Sequence, residues 1–270
     1  GAPAGITVSL GVAVYPHDAE TPDELVKLAD EALYRVKLSE RNGVAVYSPV
    51  LQELRLAGEE QPEAPSLLST LETLITVINT RDRYTYGHSE RVMRYAALAG
   101  RELGLSAEEL RLLRYAAFLH DIGKIEIGRE ILNKPGPLTE EERRVIRRHT
   151  LYGVEIVEPI QSLDRVLGII LHHHERFDGK GYPSGLAGED IPYLARVLAV
   201  ADAFDAMLAR RPYREALTVE QALSEVRHGR GSQFDPFIAE AFVRAVEEHQ
   251  EELGLHKESE GRVAAEGHRH

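Results

Sequence analysis

Residues 171–185 read LHHHERFDGKGYPSG, three histidines running into an acidic loop broken by three glycines. Imidazole beside carboxylate serves proton transfer and metal binding. A second cluster, His120-Asp121-Ile122-Gly123-Lys124, sets a carboxylate against a histidine, with a lysine one turn on. Helical periodicity tells where such side chains point. Leu110, Leu113, Ala117 and His120 recur at three- and four-residue steps, which puts His120 on an apolar stripe. A carboxylate beside a buried imidazole is costly unless something compensates it. Val145, His149, Tyr152 and Ile156 share a second face, and Leu163, Val166, Leu167, Ile170 and His174 a third. Leu194, Leu198 and Ala201 lead to Asp202 and Asp205.

One inward histidine is more often a hydrogen-bonded core residue than a ligand. Several helices that each deliver an inward His or Asp are how helical bundles build metal sites. The chain has no cysteine, which removes disulfides, thiolate zinc sites and iron–sulfur clusters and leaves His, Asp and Glu as ligands. Such a set suits iron, manganese, cobalt or zinc. Two metals sharing one aspartate would form a clamp for cleaving a phosphodiester.

The elements that must position these residues follow from the rest of the chain. At 270 residues there is room for one substantial domain and a small extra piece. Asp plus Glu number 44 against 32 Lys plus Arg, an excess of 44 − 32 = 12 negative charges. An acidic surface repels a phosphate backbone, so a nucleic-acid polymer is not the expected partner, although a small anion held by metals is compatible. No apolar run approaches the roughly 20 residues of a membrane span. The opening GAPAG lacks the basic start of a signal peptide, so the sequence reads as a cytoplasmic fragment of something longer.

Ile6 to Tyr15 alternates apolar and small or polar positions, as a strand does. Thr21, Pro22 and Glu24 then start a helix, with a capping box and a proline in the first turn. Asn42-Gly43 makes a turn before a second short strand, VAVY. Residues 50–66 are rich in proline and glutamate and read as a linker. From Leu67 the pattern is helical almost without break. Ser106 with Glu109, and Thr139 with Glu142, form further capping boxes. Residues 251–270 read as a polar, frayed tail.

Two resemblances follow from these segments. ITVSLGVAVYP, ADEALYRVK and RNGVAVY resemble the last third of a GGDEF domain, the diguanylate cyclase fold, without its glycine-rich acidic signature turn. RDRYTYGHSERV, HDIGK, ILNKPGPLTEEE, HHERFDGKGYP and VADAFDAMLARRPYR, in that order, resemble the HD-GYP branch of the HD-domain phosphohydrolases. The implied fold is mainly α: an HD-type bundle with a metal site in its core, at 67–250, behind a GGDEF-like β-α-β fragment at 1–49. Residues 1–49 alone are expected to have no cyclase activity.

The HD-GYP resemblance also implies an activity, hydrolysis of cyclic di-GMP to pGpG and on to GMP. It implies two divalent ions, iron or manganese foremost, one held by His88, His120, Asp121 and Asp202. The other would use Asp121 as a bridge, with His149, His173 and His174. His172 is surplus to this pattern and reads as a supporting or surface residue. A water activated by the metals would attack phosphorus in line, with Lys124 stabilising the developing charge. Gly181 and Tyr182 would border the nucleotide, and Arg211 and Arg214 would grip phosphate. Asp205 is left between orienting a ligand and a surface salt bridge.

Some members of the family hold a third ion through a Glu four residues before the histidine of GHS. Here Tyr84 stands there and Asp82 points elsewhere, so two ions are expected. Other readings remain open: an HD phosphohydrolase of a different nucleotide, or a non-catalytic sensor or scaffold for cyclic di-GMP. A homodimer is compatible with any of them.

Overall fold

The computed structural model describes residues 8–13, 15, 19, 21–38, 44–47, 87–209, 215–250, 253 and 255. The expected linker, the helix after Leu67, Asp82, Tyr84, Arg211 and Arg214 lie outside the described residues. In chain order the elements are β1 (Leu10–Val12), α1 (Pro22–Leu38), β2 (Val44–Val46), α2 (His88–Glu102) and α3 (Ala107–Leu119). A 3-10 turn (Ile122–Glu126) leads to α4 (Arg129–Leu132), α5 (Glu140–Arg147) and α6 (His149–Val157). A second 3-10 segment (Gln161–Val166) runs into α7 (Leu167–His172), and α8 (Tyr193–Leu208), α9 (Val219–His228) and α10 (Pro236–Glu248) follow. The chain divides into two compact units, residues 1–90 with 119–167 and residues 91–118 with 168–270.

In the first unit β1 and β2 pair in parallel, Leu10 opposite Val44 and Val12 opposite Val46. Parallel neighbours need a crossover, and α1 supplies it, packing on both strands. The Thr21 hydroxyl accepts from the Glu24 amide at 3.3 Å, so the expected helix start is in place. β1 is shorter than the alternating run suggested: Val8, Ser9 and Ala13 lie outside it.

The 3-10 turn after Asp121 packs on α6 so closely that a Cβ on Gly123 would collide with the His149 carbonyl and the Gly153 amide. Glycine is required there by contact, not by conformation. Thr139 and Glu142 form the expected reciprocal cap at the start of α5. The single helix anticipated from that cap is in fact two. The Arg148 amide donates to Val145, three residues back, at 3.1 Å, and this tighter step turns the helix face. His149 still points inward, but its buried companions are Thr150, Gly153 and Val157, while Tyr152 and Ile156 are only half-buried.

In the second unit α8, α9 and α10 pack on one another. Phe204 lies at their centre, its ring 5.2 Å from Phe242 and 5.1 Å from Tyr95, both edge-on. Edge-to-face rings add attraction beyond area burial, and truncating such a phenylalanine to alanine costs about 3–5 kcal/mol. Asp235 caps α10 through the Phe237 and Ile238 amides and pairs with Arg196 of α8 at 2.5 Å. Its carboxylate therefore serves the α10 start and its attachment to α8 together. The cap of Ser106 and Glu109 on α3 is also formed as expected. The third inward stripe needs correcting: α7 stops at His172, so His173 and His174 leave the helical register. His173 is buried and His174 is only half-buried, the reverse of the periodicity.

Candidate metal centre

The first unit gathers four side chains around Asp121, which opens the 3-10 turn and is 3 % exposed. Oδ2 faces His88 Nε2 at 3.7 Å and His120 Nε2 at 3.5 Å, while Oδ1 faces His149 Nε2 at 3.5 Å. One carboxylate thus presents each oxygen to a different set of imidazoles. The rings of His88 and His120 meet edge-on with centroids 5.3 Å apart. Lys124 reaches Oδ2 at 2.5 Å.

His149 shows how the sequence aims an imidazole. Its Nδ1 lies 2.7 Å from the Ile146 carbonyl. A carbonyl can only accept, so Nδ1 carries the hydrogen and Nε2 keeps its lone pair. That lone pair faces Oδ1 of Asp121 at 3.5 Å, two acceptors with no hydrogen to share. Two ligand atoms each about 2.1 Å from one ion, at a tetrahedral angle, stand about 3.4 Å apart. The spacing therefore suits a shared cation.

The charges fit the same purpose. Burial pushes the Asp121 carboxyl upward, but Lys124, His120, His149 and His88 outweigh it and hold it well below the usual carboxylate range. Burial pushes His149 downward, against the pull of Asp121, so the ring favours its neutral, metal-binding form.

The second unit carries His173, His174 and Asp202. His173 repeats the device of His149, its Nδ1 donating to the Ile170 carbonyl at 2.7 Å. The His173 and His174 rings lie 4.0 Å apart, and His174 Nδ1 is 3.9 Å from Asp202 Oδ2. Tyr182 leans over His174 with ring centroids 4.9 Å apart, and its amide donates to the His174 carbonyl at 3.3 Å.

The segment 175–188 that carries Tyr182 is anchored at several points. Arg176 grips Asp178 with both arms, at 3.0 and 2.9 Å, and this pairing holds the Asp178 carboxyl down to about 2. The Phe177 and Asp178 amides donate to Gln233 and Ser232. Gly179 has a positive φ of 75°, and a Cβ on Gly181 would collide with the Arg176 amide and the Glu175 Cα. Both glycines thus do what the turn was expected to need. His172 is half-buried, with its Nδ1 3.6 Å from Glu175, a supporting place and not that of a histidine on Asp121 or Asp202.

Three residues had no role assigned from sequence. Arg91 donates from Nε and Nη2 to Asp205 at 2.6 and 3.0 Å, and Asp205 is 1 % exposed. Asp205 is therefore no surface salt bridge. A buried carboxylate demands a counter-charge, which was the available signal, but the partner is 114 residues away in the chain. Tyr95 packs beside this pair, and burial first, then the Asp205 charge, pushes its phenol up to about 12. Glu175, inside the HHE motif, turns its carboxylate into the loop that follows it.

Comparison with known proteins gives a consistent answer. Residues 72–238 match the HD domain family, and residues 1–43 match the diguanylate cyclase GGDEF domain. The cyclic di-GMP phosphodiesterase response regulator RpfG of Xanthomonas campestris is 48 % identical over 177 residues, 65 % of this chain and 47 % of that protein. A cyclic di-GMP phosphodiesterase of Thermotoga maritima is 41 % identical over 184 residues, 67 % of this chain and 50 % of its own. The 3'3'-cGAMP-specific phosphodiesterase 3 of Vibrio cholerae is 39 % identical over 183 residues, 65 % of this chain and 39 % of its own. The chain spans about half the length, or less, of these relatives.

Among solved structures, Bd1817, an HDG"Y"P protein from Bdellovibrio bacteriovorus, shares the fold with a TM-score of 0.54 at 17 % identity, over 73 % of this chain and 68 % of that one. The chain belongs to the HD-domain family, with a GGDEF-type segment before it. That family membership implies a divalent metal, and the His and Asp clusters fit one. Among the described residues no helix is long and apolar enough to cross a membrane.

Proposed function

We propose that this chain is a metal-dependent phosphodiesterase that hydrolyses cyclic di-GMP to pGpG, which a second round would take to GMP, in bacterial second-messenger signalling. The observation that carries the reading is Asp121, whose two oxygens face His88 and His120 on one side and His149 on the other. The ligand sets are those expected from the sequence. His88, His120, Asp121 and Asp202 hold one divalent ion, and Asp121, His149, His173 and His174 hold a second. Iron or manganese suits these imidazoles and carboxylates. Divalent ions at such a centre supply an activated water near neutral pH and draw charge from a phosphoryl oxygen.

The remaining steps belong to the chain. Lys124 sets a positive charge on the Asp121 side and stabilises charge on the scissile phosphate. Gly181 borders the nucleotide. Tyr182, whose ring leans over His174, borders the nucleotide and can pack on a guanine base. Arg211 and Arg214 grip phosphate. Support comes from the HD family match and from relatives named as cyclic di-GMP phosphodiesterases.

A second reading is favoured by the relatives named for 3'3'-cGAMP: the same centre would cleave the mixed cyclic dinucleotide. Anaerobically purified, metal-loaded protein given both nucleotides decides between them. Faster turnover of cyclic di-GMP supports the first reading. Turnover of 3'3'-cGAMP alone supports the second, and turnover of neither overturns the enzyme assignment. The same preparation should hold two ions per chain, and three would refute that count. We also propose residues 1–49 as a partial GGDEF piece without cyclase activity, 50–66 as a linker, 67–250 as the phosphohydrolase domain and 251–270 as a tail. Cyclic di-GMP made from GTP would overturn the first of these.

A further inference from the structure

Glu175 is 3 % exposed and carries a carboxylate, an expensive group to bury without partners. Its Oε1 accepts from the Ser184 amide at 2.7 Å and the Gly185 amide at 3.0 Å, nine and ten residues along the chain. Oε2 is buried without a hydrogen bond among the described residues, and His172 Nδ1, at 3.6 Å from Oε1, is too far to donate well. The carboxylate thus spends its bonding on the two amides that close the loop. Gly181 lies against the Glu175 Cα, so the side chain and backbone of one residue hold both the exit and the middle of the segment. Between those points sits Tyr182, whose amide is tied to the His174 carbonyl and whose ring leans over His174.

We infer that Glu175 is the positioning residue of this loop: through the Ser184 and Gly185 amides it sets Tyr182 beside His174 and thereby governs nucleotide binding. The binding half of this inference rests on the function proposed above. The loop half does not. A charge-assisted acceptor shared by two amides is stronger than a neutral one, and removing it leaves both donors without a partner. Glu175 acts through the loop, not on the phosphate or the metals.

The test compares Glu175→Ala and Glu175→Gln with the parent in the full, metal-loaded chain. Amide exchange read without nucleotide should accelerate at Ser184 and Gly185 by roughly tenfold or more in Glu175→Ala. Glu175→Gln keeps a carbonyl acceptor and should recover most of the protection. With cyclic di-GMP as the probe, KM should rise roughly tenfold in Glu175→Ala, with kcat and metal content near the parent's. Unchanged exchange at Ser184 and Gly185 overturns the inference whatever the kinetics. So does lost metal or lost kcat with unchanged KM, which would place Glu175 in support of His173 and His174. If the parent turns over no cyclic dinucleotide, the functional reading fails and amide exchange alone decides whether Glu175 holds the loop.

Discussion

Arg91 and Asp205 form a two-pronged ion pair, Nε to Oδ1 at 2.6 Å and Nη2 to Oδ2 at 3.0 Å, that fastens α2 to α8. Asp202 lies one turn before Asp205 on the same helix. The Arg91 side chain is 39 % exposed and Asp205 is buried, so the cost of breaking the pair falls on the carboxylate. Arg91→Ala, which removes the two hydrogen bonds that Arg91 gives the buried Asp205 carboxylate, should therefore destabilise the protein by about 1–3 kcal/mol in chemical denaturation. Replacing both residues by apolar ones of similar volume should recover most of that loss. An Arg91→Ala variant as stable as the parent would show that other groups compensate Asp205.

Tyr95 should make stability depend on pH in a defined window. Its phenol ionises near 12 in the folded protein against 10.0 for the free group, through burial and then the Asp205 charge, partly offset by Arg91. A raised pKa means that the folded state keeps its proton longer than the unfolded state. The contribution is full below pH 10 and is lost as pH rises toward 12. Tyrosinate absorbance that reports Tyr95 ionising near 10 in the folded protein would contradict the burial argument.

Asp121→Ala should be the most damaging single change. It removes the carboxylate that faces both sets of imidazoles, so the two proposed ions should be lost and turnover should fall by roughly a thousandfold or more. Metal quantification beside single-turnover assays checks this. One equivalent of metal retained at full affinity would show that Asp121 does not bridge.

Lys124→Ala, Arg211→Ala and Arg214→Ala should separate chemistry from metal binding. Turnover should drop by about ten- to a hundredfold with metal content near the parent's, because these cations are assigned to phosphate. In Lys124→Ala the Asp121 carboxyl should also move up toward its ordinary value, since Lys124 is the strongest influence holding it down. Loss of metal in either arginine variant would show the phosphate assignment to be wrong.

Gly123→Ala tests how tightly the turn after Asp121 must sit on α6. The added Cβ meets the backbone at His149 and Gly153, which cannot yield as a flexible side chain does. Destabilisation of about 1–3 kcal/mol and weaker metal binding should follow, read by denaturation and by metal titration. Wild-type values for both would mean that α6 shifts freely.

What could be read from the sequence was local. The caps of Thr139 with Glu142 and Ser106 with Glu109 are decided within three residues, and their geometry follows from residue type. The proposed ligand residues could be named because several motifs stand in a recognisable order, and the burial of His120 because it ends an apolar stripe. Periodicity failed where the helix did. The three-residue step at Arg148 moved the buried companions of His149, and the end of α7 at His172 placed His173 inside and His174 at the edge. Only tertiary structure decided what lies far apart in the chain. Asp205 met an arginine 114 residues away instead of solvent. Asp121 was divided between His149 on one oxygen and His88 and His120 on the other. Glu175 found its partners in the loop it opens, nine and ten residues on. Such pairings depend on where packing brings backbones together, and the core is filled by side chains that sequence marks only as apolar.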